Sequence, residues 1–295
     1  MAAKVISGNA VAEEIRAEVK EKVKDFQSRK GVMPGLAVVL VGENPASVSY
    51  VTGKGKACEE VGIFEHTFRL LADTSEADLL NLINDLNFDP KFHGILVQLP
   101  LPKHIDENKV LLAIKPEKDV DGFHPVNVGK LLIGEPNFMP CTPHGIQQLL
   151  VRSGYDPSGK HVVVCGRSNI VGKPVAAILV QKRKGANAVV TICHTGAKDL
   201  AYYTRQADIL IAAAGVPNMI KADMVKDGVV VIDVGVNRVE DATKKSGFRL
   251  VGDVDFEAVK EKAEAITPVP GGVGPMTITM LLVNTLRAAE IQLGA

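Results

Sequence analysis

The sequence predicts an α/β protein of two domains, the second built on a doubly wound parallel sheet. Three observations carry this. At 295 residues the chain is longer than most single cores, so a division into two domains of roughly 150 residues each is expected. The strand-like runs are short, continuous and β-branched, as in strands covered on both faces. Segments of helical period lie between those runs, and alternation of this kind implies a parallel sheet.

In chain order, Val11, Ile15, Val19, Val23 and Phe26 recur at three- and four-residue steps through a charged background, the pattern of an amphipathic first helix packed on a sheet. Apolar runs at 36–41 and 95–97 read as strands, with helical segments at 47–61 and 75–86 between them. The second of these opens on Ser75-x-x-Asp78, a variant capping box. Thr142 followed by Pro143, with Gly154 past Arg152, delimits a helix that crosses between the domains. From His161 the alternation strengthens: 162–165, 188–193, 209–213 and 229–234 read as strands separated by helical stretches. Residues 266–277, Ile-Thr-Pro-Val-Pro-Gly-Gly-Val-Gly-Pro-Met-Thr, interleave three prolines with three glycines. They read as an irregular, ordered loop between two helical segments, shaped to lie against a ligand. The stretch 276–293 is again apolar with helical period.

Composition excludes several classes. Lys+Arg and Asp+Glu both number 34, which leaves no global field for nucleic acid or an anionic membrane. No apolar signal core opens the chain and no run approaches the ~20 residues that span a bilayer, so a cytosolic protein is expected. Cys58, Cys141, Cys165 and Cys193 are widely spaced without a Cys-x-x-Cys pair, which predicts buried thiols rather than a disulfide framework or zinc site. His93, His104, His124 and His144 have no metal-ligand spacing and read as surface or structural residues. No internal repeat points to a solenoid.

After the run 162–165 comes Gly166-Arg167-Ser168-Asn169-Ile170-Val171-Gly172-Lys173-Pro174, where a helix is expected to begin. A glycine turn feeding a helix N-terminus presents backbone N–H groups and a positive dipole end to a pyrophosphate. The turn departs from G-x-G-x-x-G, because Ser168 and Val171 replace the second and third glycines. Its strand-turn-helix-strand setting makes the domain Rossmann-like. An NAD site places a carboxylate at the end of the second strand, whereas an NADP site omits it and supplies a cation. Here the second strand runs into His194-Thr195-Gly196 with no carboxylate, while Arg167 and Lys173 lie nearby; the charge pattern favours NADP.

Tyr50 and Lys54 share one face of a helix, one turn apart, whereas Lys56 points elsewhere. Gly53 and Gly55 weaken the helix between them, and taken alone the pair also reads as a solvated lysine beside a packed tyrosine. Short-chain dehydrogenases use Tyr-x-x-x-Lys as well, but there it follows the nucleotide turn, and here it precedes Gly166. Gln98 ends the strand-like run 95–97 before Leu-Pro-Leu-Pro, the place where open α/β sheets put their sites. Lys118-Asp119-Val120-Asp121-Gly122 reads as a turn, with Asp119 structural and Asp121 able to accept hydrogen bonds.

These four stretches, Tyr50-x-x-x-Lys54, 94–102, 118–122 and 266–277, resemble the bifunctional methylenetetrahydrofolate dehydrogenase/methenyltetrahydrofolate cyclohydrolase family in order and spacing over essentially the whole chain. That family also carries the G-R-S-x-x-V-G-x-P turn. The resemblance implies a folate-binding catalytic domain at 1–145, completed by 276–295 as the last helix returns to it, and an NADP domain at 146–275. The chain would then cross between domains twice, with substrate in the cleft and a homodimer as the assembly. It implies Lys54 for proton transfer, Gln98 for positioning Lys54, Tyr50 for stacking on the aminobenzoate ring and Asp121 for anchoring the pterin. Gly271 and Thr277 would serve the folate side. Gly166, Arg167, Ser168 and Thr195 would hold the cofactor, with Arg167 and Thr195 on the 2′-phosphate and Val236 near the nicotinamide. The rival readings are an enzyme retaining one activity, a non-catalytic nucleotide sensor, and an amino-acid dehydrogenase of related layout.

Overall fold

Every apolar run read as a strand forms one in the computed structural model, which describes residues 3–244 and 247–294. In chain order the elements are β1 (Lys4–Val5), α1 (Gly8–Lys30), β2 (Gly35–Val41), α2 (Pro45–Val61), β3 (Phe64–Leu70), α3 (Glu76–Phe88), β4 (Gly94–Val97), α4 (Glu107–Ala113), α5 (Pro125–Leu132) and α6 (Cys141–Arg152). There follow β5 (His161–Cys165), α7 (Gly172–Leu179), β6 (Val189–Cys193), α8 (Leu200–Thr204), β7 (Ile209–Ala212), β8 (Val230–Asp233), β9 (Asn237–Glu240), β10 (Phe248–Val251), α9 (Phe256–Val259), β11 (Ala265–Ile266) and α10 (Val273–Gln292). The chain forms two compact units, residues 13–141 with 278–295, and residues 1–12 with 142–277.

The first unit holds a three-stranded parallel sheet in the order β3-β2-β4. Its central strand β2 is buried along its whole length, which is why its sequence is uniformly apolar. From α3, Leu79, Ile83 and Leu86 pack against Val39, Ile95 and Val97. Ser75 caps that helix by accepting from the Asp78 N–H at 3.1 Å, as the sequence predicts. The C-terminal helix completes this unit: on α10, the Asn284 amide donates to the carbonyls of Val120 (2.7 Å) and Met139 (2.9 Å), and Gln292 donates to those of His93 and Glu117.

The second unit carries a six-stranded parallel sheet in the order β1-β11-β8-β7-β5-β6. The winding reverses at β5, with β6 on one side and β7 then β8 on the other, and that reversal is where doubly wound sheets bind ligands. All four cysteines are free and buried.

The structure differs from the sequence reading at three places. Lys4–Val5 pairs with β11, so the described residues up to Ala12 belong to the unit of the nucleotide-type sheet rather than to the 1–145 domain, and the chain passes between units three times, within α1, α6 and α10. A two-residue strand has no period for a sequence to display. The Pro/Gly segment is flanked by β11 rather than a helix, and from Val273 onward it is already helical; only 267–272 is irregular. Finally, β3 and the antiparallel pair β9–β10 were not expected. Their residues alternate with charge and are partly exposed, so they lack the apolar run by which the other strands are recognised.

Asp233 closes β8 with 2% exposure. Its carboxylate accepts from the backbone N–H groups of Gly235, Asp253 and Val254. Burial pushes it up to about 7, with the neighbouring Asp253 adding to the rise and the hydrogen bonds opposing it. The folded chain therefore keeps this proton over a range where the unfolded chain has lost it. The resulting stability is present in full at acid pH and is lost as pH rises toward 7, on the order of 1 kcal/mol per pH unit. Asp233→Asn removes this titration. The stability difference between variant and wild type, from urea unfolding, is expected to move in the variant's favour between pH 5 and 7 and then level off; a difference that does not change with pH contradicts the assignment.

Candidate active site

Helix α2 starts cleanly because Asn44 Oδ1 accepts from the N–H groups of Ala46 and Ser47 and Pro45 occupies the first turn. It continues through Gly53 and Gly55 because tertiary packing overrides their low propensity. A Cβ on Gly53 would meet Ile278 at 3.4 Å, and one on Gly55 would meet the Glu65 carboxylate at 3.2 Å, so the small residues admit close neighbours. One turn apart on this helix, Tyr50 is 39% exposed and Lys54 only 6%; Lys56 faces outward. Lys54 Nζ donates to Gln98 Oε1 at 2.9 Å, and Gln98 Nε2 donates to the Leu99 carbonyl at 2.7 Å. The backbone N–H of Gln98 still reaches the Val39 carbonyl, so the strand end fixes the amide that orients the lysine.

The turn after β4 divides its charged residues by task. Lys118 Nζ donates to the carbonyls of Leu86 and Asp89, closing the end of α3. Asp119 accepts from the N–H groups of Phe123 and His124 and from Asn127 Nδ2, the structural role expected of it. Asp121 is left beside Lys54, and each feels the other's charge. Burial lowers the Lys54 ammonium from its usual range, with Asp121 opposing. Burial raises the Asp121 carboxyl to about 6, Lys54 pulling it back and Asp119 adding to the rise. Burial also holds two adjacent thiols neutral, pushing Cys58 up to about 12 and Cys141 well above its ordinary value. A lysine that releases its proton more readily than usual, beside a glutamine and a carboxyl, is a set of groups able to move protons near neutral pH.

In the other unit, the carboxyl ends of β5 and β6 open onto a pocket of about 220 Å³ lined by Gly166, Arg167, Ser168, His194, Thr195 and Ala214 among others. Gly166 has φ +138°, and a Cβ there would lie 2.1 Å from the Ala213 carbonyl oxygen, so only glycine lets the turn pass. Ser168 Oγ accepts from the N–H groups of Val171 and Gly172 and closes the turn. Among the described residues, no carboxylate lines the pocket. Lys173, expected to add charge, is held by Asn169 Oδ1 at 2.7 Å. His194 directly precedes Thr195 at the strand end, and no spacing singles it out in the sequence. Its Nδ1 faces the Gly196 N–H at 3.0 Å and its Nε2 lies 3.3 Å from an Arg167 guanidinium nitrogen. The Arg167 guanidinium and the His194 imidazole thus lie side by side in the pocket lining. The glycine turn, the Arg167 guanidinium and the lack of a carboxylate among the described lining residues suit a dinucleotide with an extra phosphate.

The structure thus gathers Lys54, Gln98 and Asp121, with Tyr50 on the same helix, and separately gathers Gly166, Arg167, Ser168 and Thr195. Val236 lies outside the pocket lining and is 54% exposed. Gly271 and Thr277 belong to the unit with the nucleotide-type sheet. Gly271, at φ +97°, accepts from the Gly8 N–H, and the Thr277 hydroxyl meets that of Thr142 at 2.8 Å.

Comparison with known proteins gives consistent findings across both units. The model of the tetrahydrofolate dehydrogenase/cyclohydrolase catalytic domain matches residues 6–121, and that of the family's NAD(P)-binding domain matches residues 140–293. The bifunctional protein FolD of Syntrophus aciditrophicus is 60% identical over 294 residues, the full length of both chains. The crystal structure of the Campylobacter jejuni bifunctional enzyme FolD, methylenetetrahydrofolate dehydrogenase/cyclohydrolase, is 51% identical with a TM-score of 0.91 and covers 99% of this chain and 100% of that one. The Trypanosoma brucei methylenetetrahydrofolate dehydrogenase-cyclohydrolase, solved with NADP and an inhibitor, is 42% identical with a TM-score of 0.94 over the whole of both chains.

Proposed function

Because this chain belongs to the tetrahydrofolate dehydrogenase/cyclohydrolase family, we propose that both of the family's activities use the Tyr50, Lys54, Gln98 and Asp121 constellation. The protein is a bifunctional, NADP-dependent enzyme of folate one-carbon metabolism. It oxidises 5,10-methylenetetrahydrofolate to the 5,10-methenyl form and hydrolyses that to 10-formyltetrahydrofolate. The observation that carries the site is the buried Lys54 ammonium bonded to Gln98 beside Asp121.

The first step needs little from the protein beyond alignment. The bridging carbon lies between two nitrogens, so loss of hydride leaves a resonance-stabilised amidinium. NADP, when bound, takes up that hydride. Tyr50 presents an exposed ring for the aminobenzoate to stack on, and Asp121 accepts from the pterin's amino and ring N–H groups. The second step needs proton transfer: water adds to the cationic carbon and the ring opens. Lys54 relays this proton, its readiness to do so increased by burial and by the cationic substrate. Gln98 holds the amine in place.

Arg167, His194 and Thr195 take the 2′-phosphate, Ser168 and Gly166 the pyrophosphate side, and Val236 the nicotinamide side. Gly271 and Thr277 complete the folate side. A homodimer and a cytoplasmic location belong to the same proposal. Edge strand β6, with Val189 64% and Ile192 41% exposed, is a surface suited to pairing with a second copy, and no helix among the described residues is long and apolar enough to cross a membrane. The test is purified protein given methylenetetrahydrofolate with NADP or NAD, and methenyltetrahydrofolate without cofactor. Reduction of NADP and cofactor-free hydrolysis are expected; absence of both in folded protein contradicts the reading.

A further inference from the structure

We infer that Asp253 is a positioning residue for the hydride-transfer half of the reaction, tying together the two backbone turns that flank the nicotinamide side of the cofactor site. This rests on the functional reading above. Asp253 has no solvent exposure. One carboxylate oxygen, Oδ2, accepts from the backbone N–H groups of Ala214 at 2.7 Å and Gly215 at 2.8 Å. The other, Oδ1, accepts from Asn237 Nδ2 at 2.9 Å. Ala214 lines the nucleotide pocket, and Asn237 directly follows Val236.

The placement of these partners separates this carboxylate from an ordinary core contact. Strands β7 and β8 end at Ala212 and Asp233, and their mutual register is set by the backbone ladder from Ile209 to Ala212. Ala214 and Gly215 lie beyond the end of β7, where parallel sheets bind their ligands, and Asn237 opens β9 opposite Val251 of β10. A buried carboxylate is costly unless fully hydrogen-bonded, and here its hydrogen bonds come from the turn after β7 and from the first residue of β9. The local sequence accommodates it: a Cβ on Gly235 would fall 2.1 Å from Asp253 Oδ1, so the glycine before Val236 is what admits the carboxylate between the two turns. The segment carrying Asp253 is itself anchored, its N–H donating to Asp233 Oδ1 and its carbonyl accepting from the Ile220 N–H. Hydride transfer depends on near-ångström alignment, and a displacement of about 1 Å is able to cost roughly a hundredfold. Releasing either turn therefore affects the redox step and leaves hydrolysis at Lys54 alone.

The experiment compares wild type with Asp253→Ala, Asp253→Asn and Asn237→Ala. It reads NADP affinity by fluorescence titration, dehydrogenase kcat and KM, and cofactor-free methenyltetrahydrofolate hydrolysis. Asp253→Ala is expected to lower dehydrogenase kcat/KM by roughly 10- to 100-fold with hydrolysis within about twofold of wild type. Asp253→Asn is expected to recover most of the loss, because its amide oxygen still faces the Ala214 and Gly215 N–H groups while the Asn237 amide turns over to accept. Asn237→Ala removes one tie without touching the carboxylate and carries the test if Asp253→Ala does not fold; it is expected to weaken dehydrogenase activity alone. Unchanged NADP affinity and turnover in Asn237→Ala, or equal loss of both activities in a folded Asp253→Ala, would overturn the inference. A wild type that neither binds nor reduces NADP defeats the functional reading instead.

Discussion

Lys54→Met is expected to abolish methenyltetrahydrofolate hydrolysis, by at least about a hundredfold, while hydride transfer persists in part. Methionine approximates the length of the lysine stem and fills the same buried space, so the change removes the amine rather than the packing. General acid–base groups contribute roughly 10²–10⁴-fold to steps in which a proton moves in the transition state. Only the hydrolytic step is such a step here. Hydride leaves a carbon already stabilised by two nitrogens, and the lysine's share in it is confined to binding. Steady-state rates of the two reactions on one preparation decide the matter. Equal losses in both would make Lys54 a binding or folding residue, and the 2.9 Å bond to Gln98 would then be structural.

Arg167→Ala is expected to weaken NADP far more than NAD, by about 10- to 100-fold in the ratio of the two affinities, the value of one or two hydrogen bonds to a charged group. The guanidinium lines the pocket at the end of β5 and has the imidazole of His194 3.3 Å away. NAD lacks the phosphate that Arg167 would hold, so its binding should change little. Competition titrations with the two cofactors give the ratio directly. If both weaken alike, Arg167 supports the pocket wall or the pyrophosphate and the 2′-phosphate lies elsewhere.

Much of this was legible in the chain because burial leaves a periodic trace. Val11 to Phe26 fall on one buried face of α1, and β2, β5, β7 and β8 are recognisable because both faces are covered. The glycine turn at Gly166 was legible through residue chemistry, since the backbone there takes a conformation glycine alone adopts easily. What escaped was set by tertiary context. β3 alternates exposed and half-buried residues at a sheet edge, and β1 exists only because β11 lies beside it. His194 carried no spacing signal, and its place beside Arg167 is set by the fold. Asp253 lies in no sequence motif, although its carboxylate joins residues 38 and 16 positions away.

On the proposed reading, one constellation, Tyr50, Lys54, Gln98 and Asp121, serves both reactions. The most direct test follows methylenetetrahydrofolate and NADP with wild-type protein in a single cuvette, recording reduced cofactor and methenyl product together from the first turnover. If both steps share the site, reduced NADP rises with little methenyltetrahydrofolate accumulating. Accumulation of the methenyl form in step with reduced NADP, decaying only at the uncatalysed rate, would contradict it.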